Sequence, residues 1–461
     1  MIVIKFGGTS VEDAAAITRA AEIVRGRLGR RPVVVVSALA RVTNELLAIA
    51  DEAALGNATG SAARIAAVRE RHHREACVLL GAGTALDATR EAISDICDEV
   101  AHLCQALVIL RHAPPRSLDA IAAAGERLSS LLVTAAFRAR GIRAREVDAR
   151  ALITTTDAFT RAEPVWERIA EQVPAALRPI IDAGEVPVLG GFIGSTATGI
   201  TTTLGRGGGD YSAALVGAAL GAEAIEIWTD VDGMLTADPR VVDGVRHLER
   251  LHFEEAAELA TFGAKVLHPS TIAPAAERGI PVSIHNAHRP DAPGTRISSD
   301  APRRVVTAIA GRAGICVVKV HSSRMLLARG FLHELFGVFS QHGLAVDVVT
   351  TSEVSVSATI EEQLSHDELV SDLAELGEVE VIRGCAIVAV VGSELTGNVD
   401  IVARALSALR GMPVHMLSVS ATGTNVTAVI DGGSLPRAMR AVHEELFGGN
   451  PAVGHPLSPV G

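Results

Sequence analysis

The side chains best suited to chemistry lie in a glycine-rich stretch that runs from Thr201 to Ser212. Three threonines are followed by four glycines that only Arg206 interrupts, and then by Asp210 at the start of an apolar segment. Glycines let the backbone approach a ligand, and a helix that begins here directs its free N–H groups at an anion. The guanidinium of Arg206 suits a carboxylate or a phosphate, and Asp210 suits a metal ion or a cationic side chain. The stretch therefore indicates phosphate or carboxylate binding, with a purely structural strand-to-helix turn as the alternative.

A second glycine turn follows the apolar strand predicted at residues 2–6. Lys5 lies near the end of this strand, Gly7 and Gly8 follow it, and an alanine-rich helix is predicted from about residue 13 to 28. The start of this helix is also suited to a phosphate. Two interpretations of Lys5 stay open: a cation for an anionic ligand, or a strand-end lysine that extends to solvent.

Three more polar residues stand out against apolar surroundings. Ser37 ends the predicted strand at residues 32–37 and Thr43 lies in the loop after it, either as hydrogen-bond donors to a ligand or simply as helix-capping residues. Glu126 interrupts a helix rich in alanine and leucine, either as a surface residue or as a buried ligand for a cation. The pattern alone does not choose between these roles.

Strands and helices alternate through the first 300 residues. Further strands are predicted at residues 187–194, 223–228 and 281–286, and residues 45–140 are mostly helical with a break at Pro114 and Pro115. Such repeated strand–loop–helix units predict a mainly parallel sheet covered by helices, with ligands at the carboxyl ends of the strands. The polar clusters fall at these ends.

The pattern changes near residue 300, where the main domain boundary is predicted. Two successive βαββαβ units follow, at residues 313–385 and 386–447, and such sheet-and-helix modules are able to pair edge to edge. Residues 448–461, rich in proline and glycine, are predicted to be a loose tail. The predicted domains are therefore 1–300, 313–385 and 386–447.

Composition excludes several classes of protein. The net charge is −11 and no basic stripe with interleaved aromatic residues occurs, which argues against a nucleic-acid partner. No apolar run has membrane-spanning length, so no membrane association is expected. The five cysteines are scattered, without a CxxC pair, which favours a reducing, cytoplasmic location.

Taken together, the motifs resemble those of aspartate kinases over essentially residues 1–445. The similar segments are Lys5–Val11, Val36–Ala38, Thr43–Asn44, Gly125–Arg127, the glycine-rich stretch, Trp228–Gly233 and Phe262–Pro269. The C-terminal units resemble ACT domains, the amino-acid-sensing modules of that family. Residues 329–332, 346–347 and 350–356 resemble the lysine-sensitive, single-function branch.

The resemblance implies an α/β fold of the amino-acid-kinase type, in which helices sandwich a mainly parallel sheet and two ACT-type modules follow. It implies transfer of the γ-phosphoryl group of ATP to L-aspartate, the first step of lysine, threonine and methionine biosynthesis. Phosphoryl transfer requires in-line positioning and neutralisation of charge on the phosphoryl oxygens. Lys5 and Asp210 are the implied catalytic pair, and aspartate is implied to bind Ser37, Thr43, Glu126 and Arg206.

The resemblance also implies a nucleotide site, with Mg²⁺ held mainly by the phosphates and no metal site made by the protein alone. Its residues would be Lys5, Phe6, Gly7, Gly8, Thr229, Asp230, Leu235, Arg240, Lys265 and Val266. Two positions depart from the family pattern. Gly209 replaces a common serine near the phosphates, and Leu235 replaces a common tyrosine near the adenine.

An amino-acid effector, with lysine favoured, is implied to bind the first ACT-type module and inhibit the enzyme. The implied site consists of Met325, Gly330, Phe331, Leu332 and Asp347. Ala328 and Ala345 replace serines that help to hold lysine in that branch, so a different amino acid stays open as the effector. Pairing of these modules between chains implies a homodimer or a larger assembly.

Two alternative functions have to be weighed. One is a related kinase that acts on glutamate, acetylglutamate or a nucleotide, and the combination of Lys5, Glu126 and Arg206 with the tandem repeat argues against it. The other is an amino-acid sensor that has lost catalysis, which would be expected to lack Lys5 or Asp210.

Overall fold

The computed structural model describes residues 1–263, 271–326, 329–362 and 367–448. Two compact units are formed, one by Met1–Gly233 with Val266–Ser299 and the other by Met234–Lys265 with Asp300–Gly461. The second unit therefore includes a segment, 234–263 in its described part, that falls inside the range predicted for the first domain. The predicted tail, apart from Gly448, lies outside the described residues.

The first unit alternates strands with helices, as the sequence pattern indicates. In chain order its elements are β1 (Ile2–Phe6), α1 (Ala14–Arg25), β2 (Pro32–Val36), α2 (Val42–Ala54), α3 (Ala58–Leu80), α4 (Thr84–Leu110), α5 (Pro115–Ala139), β3 (Ala144–Val147), β4 (Thr154–Thr155), α6 (Trp166–Asp182), β5 (Val186–Gly190), β6 (Ile193–Thr196), β7 (Thr201–Thr203), α7 (Gly208–Leu220) and β8 (Ala224–Thr229).

The chain then forms short elements before the C-terminal modules. These are β9 (Met234–Leu235), β10 (His247–Leu248), β11 (Arg250–Leu251) and α8 (Phe253–Thr261) in the second unit, and α9 (Ala273–Ala276), β12 (Val282–Asn286) and β13 (Thr295–Ile297) in the first.

The main sheet of the first unit has the strand order β13-β12-β8-β1-β2-β5-β3, and every pairing is parallel except that of β13. The predicted mainly parallel sheet is thus confirmed. Phe6 at the end of β1 is in register with Val36 of β2 and Trp228 of β8. The loops after these three strands therefore leave the sheet at one edge, where parallel sheets bind ligands.

The strand predicted at residues 187–194 is interrupted. β5 ends at Gly190 and β6 begins at Ile193, because Phe192 adopts a left-handed backbone with φ of 65°. β6 then pairs with β4 and β7 in a small separate sheet. The interruption turns the chain out of the main sheet just before the threonine run.

Helix α5 passes through the apolar interior of the first unit. It begins with Pro115, where the missing N–H costs no helical hydrogen bond. By length and composition it could span a membrane, but 78% of its most apolar window is buried within the protein. This is the burial expected of a core helix.

The second unit ends in ten elements that form a sheet with helices. They are β14 (Ala308–His321), α10 (Phe331–Gln341), β15 (Val349–Thr351), β16 (Ser355–Glu361), α11 (Asp367–Ala374), β17 (Glu378–Val391), α12 (Val399–Ala408), β18 (Val414–Val419), β19 (Asn425–Asp431) and α13 (Leu435–Phe447). The strand order is β15-β16-β14-β17-β19-β18, and the pairs are antiparallel.

This sheet differs from the predicted pair of separate tandem copies. The strands predicted at 378–383 and 386–391 are one continuous strand, β17, which pairs along its length with β14. Residues 308–313 of β14 pair with 386–391, so the first half of β14 completes the second module. Gly314 and Gly384, both with positive φ, lie where the register shifts between the two halves. The sequence pattern missed this sharing because each half-strand has an ordinary strand length.

The segment at 234–263 is attached to this sheet by buried polar contacts. Glu255, at the start of α8, is buried and accepts hydrogen bonds from the hydroxyls of Thr307 at 2.7 Å and Ser393 at 3.3 Å. Farther along the helix, Glu258 accepts from Thr424 and Asn425. These contacts explain why the segment packs with the second unit.

Candidate active site

A cavity of about 390 Å³ lies in the first unit, at the sheet edge where β1 and β2 end. Its walls are the loop after β1, the loop between β2 and α2, helix α5, and the glycine-rich turn before α7. The six residues predicted for catalysis and for aspartate binding all line it, namely Lys5, Ser37, Thr43, Glu126, Arg206 and Asp210.

Lys5 and Asp210 form an ion pair in this cavity. Nζ of Lys5 lies 2.8 Å from Oδ1 of Asp210, and the two side chains are 11% and 12% exposed. Lys5 is therefore not a strand-end lysine that extends to solvent. Its ammonium is held by the first turn of α7 beside the cavity, where it can neutralise charge on an anionic ligand.

Glycines make this close arrangement possible. A Cβ atom added at Gly209 would lie 3.1 Å from Oγ of Ser37 and 3.2 Å from Cε of Lys5. A Cβ at Gly191 would lie only 2.9 Å from Cα of Gly209. In this chain the glycine at 209 therefore leaves Lys5 and Ser37 room that a larger residue would take.

Glu126 enters the cavity from α5. It is 3% exposed, and its Oε1 accepts a hydrogen bond from the N–H of Ala38 at 3.2 Å. Its Oε2 is buried without a hydrogen-bond partner among the described residues. Burial raises the pKa of this carboxyl from its ordinary value of 4.5 to about 8. A carboxylate in this position is suited to an ammonium group, which would supply the missing partner and the compensating charge.

Trp228 anchors the loop that follows β1. Its backbone oxygen accepts hydrogen bonds from the N–H of Gly7 at 2.9 Å and from the hydroxyl of Ser10 at 3.1 Å. Its buried ring stacks on His285 at 4.8 Å, and its indole N–H donates to Glu226 at 3.2 Å. The glycine turn is thus fixed to the central strands of the sheet.

The residues predicted for the nucleotide are distributed over the chain. Phe6 is buried in β1, and a Cβ at Gly7 would lie 3.7 Å from Nζ of Lys5 and 4.0 Å from Oγ1 of Thr229. The hydroxyl of Thr229 donates to Asp230 at 3.2 Å.

Two more nucleotide candidates, Leu235 and Arg240, belong to the second unit. There the guanidinium of Arg240 pairs with Asp238 at 2.7 Å. Lys265 and Val266 lie outside the described residues.

The candidate effector residues belong to the second unit. Gly330 precedes α10 with φ of 91°, Phe331 is buried and Leu332 is exposed. Met325 lies in the short turn that follows β14. Ala328 lies outside the described residues, and Ala345 is exposed.

Asp347, the remaining effector candidate, has a partner that the sequence did not suggest. Nη1 of Arg312 lies 3.0 Å from Oδ2 of Asp347, while Nη2 lies 2.6 Å from Oε1 of Glu361. Burial raises the pKa of Asp347, and the nearby guanidinium opposes that rise. A cationic ligand of Asp347 would therefore have to share the carboxylate with Arg312 or displace the guanidinium from it.

Sequence analysis also missed Asp119, which is buried on α5. It lies seven residues before Glu126, so two helical turns place both carboxyl groups on one face of the helix. It accepts hydrogen bonds from Thr203 and from the N–H of Thr160. Two acidic residues seven positions apart in an apolar helix were the sequence feature that could have identified Asp119.

Comparison with known proteins relates both parts of the chain to characterised families. Residues 1–286 match the amino acid kinase family, and residues 388–446 match the ACT domain. The chain is 36% identical to lysine-sensitive aspartokinase 3 of Escherichia coli (strain K12), over 97% of this chain and 99% of the relative. It is 30% identical to the aspartokinase of Schizosaccharomyces pombe, over 97% of this chain and 92% of that protein.

Solved structures give the same result. E. coli aspartokinase III in complex with aspartate and ADP, in the R-state, matches with a TM-score of 0.87 at 36% identity and covers 97% of this chain and 100% of its own. The same enzyme with lysine and aspartate, in the T-state, matches with a TM-score of 0.79 at 35% identity, over 97% and 99% of the two chains.

Replacing Glu126 by Gln tests whether its carboxyl is buried with a raised pKa. Between its ordinary pKa of 4.5 and its folded pKa of about 8, the folded protein binds more protons at this site than the unfolded chain. Its contribution to stability is therefore fully present below pH 4.5 and is lost as pH rises to about 8. We expect Glu126→Gln to remove this loss, so that the variant gains stability relative to wild type as pH rises from 5 to 8.5, measured by urea unfolding.

Glu91, exposed on α4, provides the matched control. Glu91→Gln should leave the pH dependence of unfolding as in the wild type. If Glu126→Gln also followed the wild-type pH dependence, the raised pKa would be wrong.

Proposed function

The chain belongs to the aspartokinase family, and on that premise we propose which of its residues perform each part of the reaction. The enzyme transfers the γ-phosphoryl group of ATP to the side-chain carboxylate of L-aspartate, which gives 4-phospho-L-aspartate and ADP. The observation that carries the assignment is the cavity that combines the Lys5–Asp210 ion pair with Glu126 and Arg206.

Glu126 and Arg206 hold the two ends of aspartate. The buried Oε2 of Glu126 lacks a partner among the described residues, and the α-ammonium group supplies one. Arg206 binds a carboxylate through its planar guanidinium. Ser37 and Thr43, both half-buried on the cavity wall, donate hydrogen bonds to the carboxylate oxygens. Binding at both ends leaves little freedom to the reacting carboxylate.

Lys5 acts on the group that is transferred. An oxygen of the aspartate side chain forms a bond to the γ-phosphorus while the bond to the bridging oxygen of ADP breaks. No proton has to move, because the attacking carboxylate is ionised and ADP leaves as an anion. The main requirement is neutralisation of charge on the phosphoryl oxygens. The ammonium of Lys5 supplies it, and Asp210 fixes the position of that ammonium.

ATP binds along the loops that follow β1 and β8. Gly7 and Gly8 lack side chains, so the phosphates can approach the backbone closely there, and Thr229 and Asp230 contact the nucleotide. The resemblance to aspartate kinases implies Leu235, Arg240, Lys265 and Val266 as further nucleotide residues.

The phosphates of bound ATP would hold Mg²⁺, which would supply neutralisation of their charge. The described residues contain no group of three or more His, Cys, Asp or Glu side chains arranged for a metal ion.

Catalysis is favoured over a role as a sensor alone. A protein that only bound amino acids would have no use for a buried lysine paired with an aspartate beside its ligand cavity, since a buried ion pair is costly to desolvate. The combination of Glu126 and Arg206 favours a free α-amino acid over an acylated amino acid or a nucleotide as the phosphoryl acceptor.

Feedback inhibition by lysine through the first ACT-type module is the proposed regulation. N–H groups at the start of α10, next to Gly330, bind the effector carboxylate, and Asp347 binds an ammonium. Lysine inhibits if it binds one conformation better than the conformation that binds aspartate, and the coupling is then reciprocal. Support comes from the similar E. coli enzyme, which is lysine-sensitive and has been crystallised with lysine.

Self-association and a cytoplasmic location complete the proposal. The ACT-type modules are proposed to pair between chains through residues 313–385, since unpaired sheet edges are able to pair with another chain. All five cysteines are free, which fits a reducing compartment.

Replacing Lys5 by Ala should lower turnover by orders of magnitude, because it removes charge stabilisation that is strongest in the transition state. Trapping the acyl phosphate with hydroxylamine measures it. Lys319→Ala is the control, since Lys319 makes only a partly exposed ion pair with Glu380 in the second unit. A folded Lys5→Ala protein with near-normal turnover would contradict the role of Lys5.

Lysine should bind the wild type, and Asp347→Ala should weaken its binding at least about tenfold, because a charge-assisted hydrogen bond is lost. Titration calorimetry measures both affinities. Glu361→Ala is the control, since Glu361 is the other carboxylate beside Arg312. No heat from the wild type, or equal binding by the wild type and Asp347→Ala, would mean that the ligand or the site is wrong.

Light scattering should give at least twice the chain mass of 47.9 kDa at micromolar concentration. The expectation follows from the proposed pairing of ACT-type modules between chains. A monomer under these conditions would refute the proposed assembly.

A further inference from the structure

Arg206 has no hydrogen bond or ion pair with another described side chain in this structure, and its side chain is exposed. Its position therefore depends on the backbone of the glycine-rich turn. Gly205 and Gly207 on either side of it both have positive φ, of 75° and 74°. A turn of this kind is flexible unless its flanks are fixed. What fixes those flanks determines where the guanidinium lies.

One fixed flank is the start of α7, where the oxygen of Gly208 accepts from the N–H of Phe192 at 3.2 Å. The other is Thr203, at the end of β7. Asp119 of α5 accepts hydrogen bonds from its N–H at 3.0 Å and from its hydroxyl at 2.6 Å. The same carboxylate accepts from the N–H of Thr160, with distances of 3.1 and 2.9 Å to its two oxygens. Asp119 is 1% exposed, so these hydrogen bonds form away from water.

Thr160 belongs to a segment that backs the turn. Its φ is 70°, a left-handed conformation that costs a threonine energy and persists only where surrounding contacts enforce it. The N–H of Ala162 donates to the oxygen of Thr203 at 2.9 Å. A Cβ added at Gly205 would lie 3.4 Å from the oxygen of Thr160 and 3.4 Å from Cγ of Arg161. Asp119 thus holds both the segment behind the turn and the strand that leads into it.

The chemistry of these contacts requires an acceptor with several lone pairs. The hydrogen-bond partners of Asp119 are two backbone N–H groups and one hydroxyl, with no cation among them. A carboxylate accepts all of them at once, whereas an amide of the same shape offers one oxygen. Burial raises the pKa of Asp119, and the hydrogen bonds from Thr203 and Thr160 oppose that rise.

We propose that Asp119 is a positioning residue that sets the distance between Glu126 and Arg206, and so the length of the amino-acid acceptor that the cavity accepts. One rigid helix, α5, bears Glu126 directly and fixes the Arg206 turn through Asp119. This inference rests on the proposed roles of Glu126 and Arg206 at opposite ends of aspartate. It assigns to α5 a function in specificity besides its function in the core.

Steady-state kinetics of Asp119→Asn and Thr203→Val test the proposal. Asp119→Asn should raise KM for aspartate about tenfold, because hydrogen bonds to a charged group are lost. It should leave KM for ATP within about twofold, since Asp119 forms its hydrogen bonds with Thr160 and Thr203 and with none of the described nucleotide candidates. Thr203→Val removes one hydroxyl donor and should raise KM for aspartate about threefold or more. In both variants the ratio of kcat/KM for L-aspartate to that for L-glutamate should fall, because the Arg206 turn is no longer held at one distance.

Two matched variants separate the hydroxyl contact from strand packing. Thr203→Ser keeps the hydroxyl and should restore wild-type kinetics. Thr201→Val alters the same strand away from Asp119 and should leave KM for aspartate unchanged. Thermal unfolding shows which variants fold, and if Asp119→Asn does not, the pair Thr203→Val and Thr203→Ser decides.

Arg206→Lys shows which assumption fails. If it raises KM for aspartate while Asp119→Asn and Thr203→Val do not, the positioning role of Asp119 is wrong and the role of Arg206 stands. If Arg206→Lys leaves KM for aspartate unchanged, the proposed role of Arg206 itself is wrong. Equal changes of both KM values in Asp119→Asn and Thr203→Val, with no change of the aspartate-to-glutamate ratio, would also overturn the proposal.

Discussion

The ion pair of Lys5 with Asp210 is the contact around which the cavity of the first unit is arranged. It connects the central strand β1 to the first turn of α7, across the edge where the parallel strands end. Both side chains are nearly buried, so either charge alone would be costly, and each needs the other in place. The glycines at 191 and 209 let the elements approach closely enough for the pair to form. The ion pair therefore depends on the absence of side chains at these two glycines as well as on the two charges.

Helix α5 shows two ways in which a buried carboxylate can be accommodated. Asp119 accepts hydrogen bonds from Thr160 and Thr203, and these bonds fix the backbone at both positions. Glu126 receives one backbone hydrogen bond and keeps an oxygen without a protein partner. The first arrangement stabilises the structure. The second is destabilising, because a buried oxygen has no partner in the protein, but it leaves that oxygen available to a ligand. Two turns of one helix thus separate an acid whose hydrogen bonds are satisfied within the protein from an acid for which we propose a ligand.

Local patterns predicted the parallel sheet and drew attention to the residues that line the cavity, because glycine turns and strand ends are visible in the sequence itself. The resemblance to aspartate kinases was needed to assign roles to those residues. Local patterns could not predict the partners of Asp119 or Asp347. Thr203 is 84 positions from Asp119, and Arg312, on β14, is 35 positions from Asp347. Such pairs exist only after tertiary packing has formed. The attachment of 234–263 to the second unit was hidden for the same reason, since its sequence continues the kinase pattern while its buried acids bind distant hydroxyls.

The pairing of the two long strands β14 and β17 shows how the chain connects the two C-terminal modules. The chain enters the second module with residues 308–313, leaves to build the whole first module, and returns at 386 to complete the second. Ala313 and Ala386 face each other as paired residues, so the points of departure and return are neighbours. The first module is thus inserted into the second like a long hairpin loop, and a short turn would be enough to replace it. Gain or loss of an amino-acid-sensing module at this position would leave the remaining sheet intact.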